Sequence, residues 1–255
     1  MSVQSDLSRL SVGEFTDRFR PEMIPLSNKF SYFFAALPLG EEDVKEYLED
    51  PIAALPQSVV QVLPQISILL VPYLERVNGT KGARPIEHFV TLEKPHESRS
   101  VAAAQIGRAN EAVIAFAIKD QEVADYHYRF YHMLAEIIVR FGADEAMNQY
   151  ASLLREELNS GVHGEVDEQS WHLKQSLLRR QTNVRRETKA FREYAIQSFV
   201  DTMTLYLHGI CCDIDVETGP RQLPSRHLRR RLDMMHSLYP PPTGYAVFPE
   251  ELNTK

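Results

Sequence analysis

The sequence predicts a mainly helical α+β protein in which a small antiparallel sheet of about three strands packs against a bundle of long helices. Three observations predict it. Residues 66–75 (ISILLVPYLE) are β-branched and almost continuously apolar, as a strand buried on both faces is. Proline is absent from 96 to 219. Within that span, apolar residues recur at three- and four-residue steps in several stretches.

At 255 residues, 44% hydrophobic and 25% charged, the chain can bury one large core or two small ones. The expected organisation is a single globular domain over 1–240 with an extended, proline-bearing arm over 240–255. No run approaches the ~18 apolar residues of a membrane span, and MSVQSDLSRL lacks a basic stretch followed by an apolar core. A soluble, cytoplasmic protein is therefore expected. Cys211 and Cys212 are adjacent, which suits neither a disulfide framework nor a C-x-x-C site. Charge is two-sided: residues 174–231 carry 12 basic and 6 acidic side chains, a net of +6, against a total of -7.

In chain order, residues 1–65 read as short helices between breaks, with prolines at 38, 51, 56 and 64. Gly40 followed by EEDVKEYLED is one such helix, with acids in its first turn where the helix dipole favours them. Residues 59–62 suggest another. Strands follow at 66–75, interrupted by Pro72, at 88–93, where apolar and polar residues alternate, and at 111–119. The first two form a hairpin. Residues 121–141 form a helix, with Asp120 as N-cap and Gly142 after its end. Its apolar stripe is Val123, Tyr126, Phe130, Met133 or Leu134, Ile137 and Phe141. Asp144 opens the next helix, which Asn159, Ser160 and Gly161 end. From 165 to 208 a straight helix would be roughly 65 Å long at 1.5 Å per residue, too long for a compact domain. A break near 181–183 is expected, giving two helices that fold back, the second with Phe191, Ala195, Phe199, Met203 and Tyr206 on one face. Gly209 ends that run. Ser225 caps a last, basic helix before Pro240.

Three constellations could carry chemistry. On the 121–141 helix, Asp125, Arg129, His132, Glu136 and Arg140 share one face, and His132 with Glu136 has the i, i+4 spacing from which two side chains can bind one metal ion. The simpler account is a set of surface ion pairs, Asp125 to Arg129 and Glu136 to Arg140. Two His-Gly steps, His163-Gly164 and His208-Gly209, come to the same end of the bundle if the long stretch breaks as expected. With Glu165, Asp167 or Asp213 they would suit zinc, iron or manganese. The simpler account there is helix punctuation, with acids offsetting a helix dipole. Last, Arg179, Arg180, Arg185, Arg186, Arg229 and Arg230 form basic clusters that could meet an acidic partner or phosphates, although a solvated helix face, or a face docked on the acidic N-terminal half, is the simpler account.

Strands followed by a His-bearing helix resemble the arrangement of zinc metallopeptidases. Their H-E-x-x-H pair is absent here, and YHYRFYH has neither its spacing nor its general-base Glu, so membership is not inferred. Nucleophile-elbow, dinucleotide and phosphate-loop motifs are also absent. Two function classes remain. One is a metal-binding protein, a metal-dependent hydrolase or oxidase, using His163, His208 and a carboxylate, with His132 and Glu136 nearby. The other is a non-enzymatic interaction or regulatory protein whose basic helices engage an acidic protein, a second copy of the chain or RNA, with nucleic acid the less favoured.

Overall fold

The computed structural model describes residues 10–77, 86–142, 144–179, 187–212 and 221–248. Where the sequence suggests one domain over 1–240, contacts group the chain into two compact units, residues 1–51 with 63–129, and 52–62 with 130–255.

The first unit is built on a five-stranded sheet in the order β1-β2-β3-β8-β7: β1 (Ile24–Pro25), β2 (Phe30–Phe34), β3 (Gln65–Val71), β8 (Glu111–Ala117) and β7 (Ala103–Gly107). The three central strands are parallel, with Phe30 opposite Ile66 and Ile68 opposite Ile114, while β1 and β7 run antiparallel at the edges. This corrects the expectation of a purely antiparallel sheet of about three strands. The correction has a sequence basis, because β3 and β8 are apolar on both faces, and strands of that kind belong in the middle of parallel sheets. Pro72 separates β3 from β4 (Tyr73–Val77), which leaves this sheet for a three-stranded antiparallel one, order β5-β4-β6, with β5 (Glu87–Thr91) and β6 (Ser100–Val101). The expected hairpin is therefore formed by β4 and β5.

One face of the larger sheet is covered by α1 (Val12–Phe19), whose Val12, Phe15 and Phe19 pack on Leu69, Val71, Val113 and Ala115. Ser11 and Glu14 form a reciprocal capping box at its start. The helix expected after Gly40 is present in three pieces: α2 (Glu41–Val44), a π-helical turn (Lys45–Glu49) and α3 (Asp50–Ala53). The ring of buried His127 lies 2.9 Å through Nε2 from the Glu46 carbonyl, and the Tyr47 ring meets Tyr126 edge-on at 4.9 Å. The wider turn thus has a side-chain partner for one of its carbonyls.

α5 (Val123–Phe141) runs from the first unit into the second. Tyr126, Phe130, Leu134 and Ile137 are buried as expected, and Tyr131, Ala135 and Ile138 widen the apolar face. Asp120 is not its cap: the helix starts at Val123, and Asp120, at φ 63°, accepts from Tyr73 Oη at 3.1 Å and Lys94 Nζ at 3.2 Å.

The second unit is a helical bundle containing α4 (Gln57–Val62), the C-terminal part of α5, α6 (Asp144–Asn159), α7 (Glu168–Arg179), α8 (Lys189–Cys211) and α9 (Ser225–Leu238). The expected break at 181–183 lies outside the described residues, and so does Asp213. α8 runs through Gly209 to Cys211 rather than ending there. Its expected face, Phe191, Ala195, Phe199, Met203 and Tyr206, is buried, but so are Tyr194, Ser198, Asp201, Thr202 and Thr204. α6 runs antiparallel to α8, with Tyr150 against Ser198 and Thr202 and Arg155 over Phe191. Ser225 is the first helical residue of α9, and Pro224 holds the cap position. The described part of the arm is turned rather than extended: Tyr245 N–H bonds the Pro242 carbonyl, and Phe248 lies under Arg229 with 3.3 Å from guanidinium carbon to ring centroid.

Candidate functional site

Three polar features of the helical unit are candidates, and the first starts at a glycine. After α6, Gly161 and Gly164 adopt left-handed φ of 67° and 77°. A Cβ on Gly164 would stand 2.1 Å from the Gln222 carbonyl oxygen, so only glycine allows this close approach. The approach lets Glu165 bridge the chain before α9, with its N–H on the Arg221 carbonyl and its carbonyl on Leu223 N–H. The Glu165 side chain is thereby turned into the bundle.

There it meets Arg231 of α9, whose Nη1 and Nη2 reach its two oxygens at 2.6 and 3.0 Å. The same guanidinium holds Glu157 of α6 at 2.6 Å. Lys174 of α7 adds a bond to Glu165 at 3.1 Å and one to the Gly164 carbonyl at 2.8 Å. Tyr194 donates to Glu165, and Ser198 bonds both Glu165 and Arg231. Two carboxylates and two cations, all essentially inaccessible, form a neutral network joining α6, α7, α8 and α9. Burial alone would raise the Glu165 pKa, but Arg231 and Lys174 bring it down to about 2. Every Glu165 oxygen is thus committed, and so is Arg231. The network holds the bundle together and leaves no ligand position for a substrate.

The second feature is Asp201, in the middle of α8 and 2% exposed. Gln197 Nε2 donates to Oδ1 at 2.8 Å, but Oδ2 is buried without a hydrogen-bond partner. Burial pushes its pKa up to about 6; the Ser170 hydroxyl, Gln197 and His132 oppose the rise, and the Asp167 carboxylate reinforces it. Ser170 stands close enough to favour the ionised form, yet its hydroxyl donates to the Asp167 carbonyl at 3.0 Å.

The third feature is a cavity of about 440 Å³ lined by α5, α6 and α8. Its lining mixes apolar side chains (Ile138, Met147, Ala151, Ala195, Ile196 and Phe199) with a larger share of polar surface. The lining also holds Arg155, whose guanidinium lies 4.5 Å over the Phe191 ring, and Arg192, which pairs with Glu187 at 3.3 Å. Asp144 and Asn148 are further polar residues of the lining.

The residues singled out in the sequence are distributed as follows. His132 and Glu136 face one another at 3.9 Å, and Asp125 pairs with Arg129 at 3.5 Å. The expected Glu136–Arg140 pair is replaced: Glu136 turns to His132, and Arg140 lies over Phe141. His163 is exposed, whereas Glu165 two residues on is buried. Asp167 is half-buried just before α7. The His208 ring packs 5.9 Å from Tyr131. Among the described residues, no group of three or more His, Cys, Asp or Glu is placed to hold one metal ion. Of the basic clusters, Arg180, Arg185 and Arg186 lie outside the described residues. Arg179 is exposed, Arg229 pairs with Asp233 at 3.2 Å and Arg230 pairs with Glu156. Lys174 and Arg231, at the two ends of the basic stretch 174–231, are core residues.

Sequence reasoning missed Asp201, Arg231 and the groove. For Asp201 a signal exists, because from 194 to 207 it is the one charged residue in a helical stretch. A single acid amid uncharged residues at core spacing marks a buried carboxylate. No helix among the described residues is long and apolar enough to cross a membrane. No family profile, curated protein or solved structure matches the chain.

Proposed function

We propose that the helical unit is a non-catalytic receptor for a small amphipathic molecule with one anionic end. The observation that carries this is the 440 Å³ groove, whose size falls in the range of ligand sites and whose lining joins apolar Ile138, Met147, Ala195 and Phe199 with Arg155 and Arg192. The apolar body would lie along Ala151, Ala195 and Ile196, and the anion would exchange for Glu187 on Arg192. Arg155 is held in place over Phe191 and lines the groove. This reading keeps the class of a binding or regulatory protein but moves recognition from the basic helices to the groove. Arg229 and Arg230 have acidic partners within their own unit.

The test uses 1-anilinonaphthalene-8-sulfonate as probe on the full chain. Saturable binding of one probe per chain is expected, displaced by decanoate and much less by decanol. Met147→Trp, which fills the groove from a partly exposed wall, and Arg155→Gln should each weaken binding at least tenfold, with the far-ultraviolet dichroism unchanged. Equal binding by both variants and the wild type would end the proposal.

A further inference from the structure

The charged residues of the groove are sorted by sign along its length. On α6, Asp144, Asn148, Ala151 and Arg155 all line it at steps of three or four, so they form one stripe of that helix. Positions 144 and 155 lie about 16 Å apart along the axis at 1.5 Å per residue. α8 runs the other way: its Phe191 lies under Arg155, and its Ser198 and Thr202 meet Tyr150, midway along α6. Arg192 therefore stands at the Arg155 end, and so does the start of α8, where Thr188 accepts from Phe191 N–H at 3.2 Å. A helix N-terminus carries partial positive charge, which adds to the two guanidinium groups, while Glu187 offsets one of them. The Asp144 end has the opposite sign. α5 finishes beside it at Phe141, with Val139 and Gly142 in the lining, and the last carbonyls of a helix are partly negative. The start of α6 cancels that dipole, so the Asp144 carboxylate decides the sign. Both basic residues of the lining are at the far end. A simple long-chain anion that filled the groove would set its methyl end against this exposed carboxylate, where burial gains it nothing.

We infer that the groove takes an elongated zwitterion, with a carboxylate at Arg155 and Arg192, an ammonium group at Asp144 and an apolar chain between them. The inference rests on the reading of the groove as a ligand site, and adds to it a second charge and a length. Its chemistry is that of an ω-amino acid whose extended chain matches the separation of the two charged ends. Met147, Ala151, Ala195 and Phe199 line the stretch between those ends. Opposite charges at the two ends fix one direction of binding and discriminate among ligands more than they tighten binding. Because Asp144 is exposed, its pairing with an ammonium group adds up to about fivefold in affinity. A dianion of the same length would bring a like charge against Asp144 and be rejected.

The decisive measurement is displacement of 1-anilinonaphthalene-8-sulfonate from the full chain, near neutral pH and at low ionic strength. Three acids of one chain length compete with it: 12-aminododecanoate, 12-hydroxydodecanoate and dodecanedioate. The amino acid should displace the probe at about fivefold lower concentration than the hydroxy acid, and the dianion should need the highest concentration of the three. High salt should shrink the advantage of the amino acid. Asp144→Asn should bind the hydroxy acid as the wild type does and lose the preference for the amino acid. Asp144→Lys should reverse the order, releasing the probe to dodecanedioate at a lower concentration than to 12-aminododecanoate. Both substitutions fall at the exposed start of α6 and leave its packing untouched. Equal displacement by the amino and hydroxy acids in the wild type, or a preference that survives in Asp144→Asn, overturns the inference while the groove remains a ligand site. A chain that binds no probe, or releases it to none of the three acids, overturns the groove reading and this inference with it.

Discussion

At Gly161 and Gly164 one backbone conformation is used for two purposes. Both have left-handed φ, but space around Gly161 is open, whereas a Cβ on Gly164 would overlap the 222–223 backbone. Alanine at 161 faces conformational strain alone, a cost of about 1 kcal/mol. Alanine at 164 must also push back the strand-like bridge that aims Glu165 at Arg231, so the cost should exceed 3 kcal/mol by the same unfolding measure. Urea unfolding of the two variants separates these costs, and similar midpoints would show that the bridge is dispensable. The sequence offers His163-Gly164-Glu165 as a single polar step suited to metal ligation. What it could not reveal is that glycine divides the step, leaving His163 in solvent and Glu165 in the core. That division depends on residues almost sixty positions later.

Elements were legible where local pattern and burial agree. β3 and β8 were readable from their apolar runs, and α5, α6 and α9 because a 3.6-residue period runs through each uninterrupted by proline or glycine. β2 was not: FSYFF is a short aromatic run among prolines, and what makes it a strand is pairing with Ile66 to Leu70, some 36 residues away. α9 shows the opposite failure. RHLRRRLDMM looks like a solvated cationic helix, yet Arg231 falls on the side of Leu228, Leu232 and Met235 and is fully buried. Charge at core spacing can be recognised only when its counter-charges, here Glu157 and Glu165, are known. α9 should therefore be fastened chiefly through this residue. Arg231→Met would strand two buried carboxylates and is expected to cost about 3–5 kcal/mol, since removing one partner of a buried pair leaves the other uncompensated. The one tryptophan, Trp171, lies in the same unit and reports its unfolding by fluorescence. A loss below 1 kcal/mol would mean that the carboxylates find water or other partners.

For the whole molecule, the buried acids make opposing contributions to pH stability. Glu165, held near 2 against 4.5 for a free side chain, stabilises the fold fully above about pH 4.5, and that contribution is lost as pH falls toward 2, amounting to about 3 kcal/mol. Asp201 has the reverse sign. Its folded pKa of about 6 exceeds the ordinary 3.8, so the folded chain binds a proton that the unfolded chain has released, and stability declines as pH rises from about 4 to 6. The decline from this group is about 3 kcal/mol, complete above pH 6. Depressed histidines complicate the profile itself: burial lowers both His88 and His227, which favours the fold as pH rises. A difference between variants removes them. The unfolding free energy of Asp201→Asn minus that of the wild type should be constant below pH 4, climb between pH 4 and 6 by about 3 kcal/mol, and stay level above. A flat difference curve across that window would show that Asp201 is ionised in the fold at all these pH values, and that its second oxygen is satisfied by solvent.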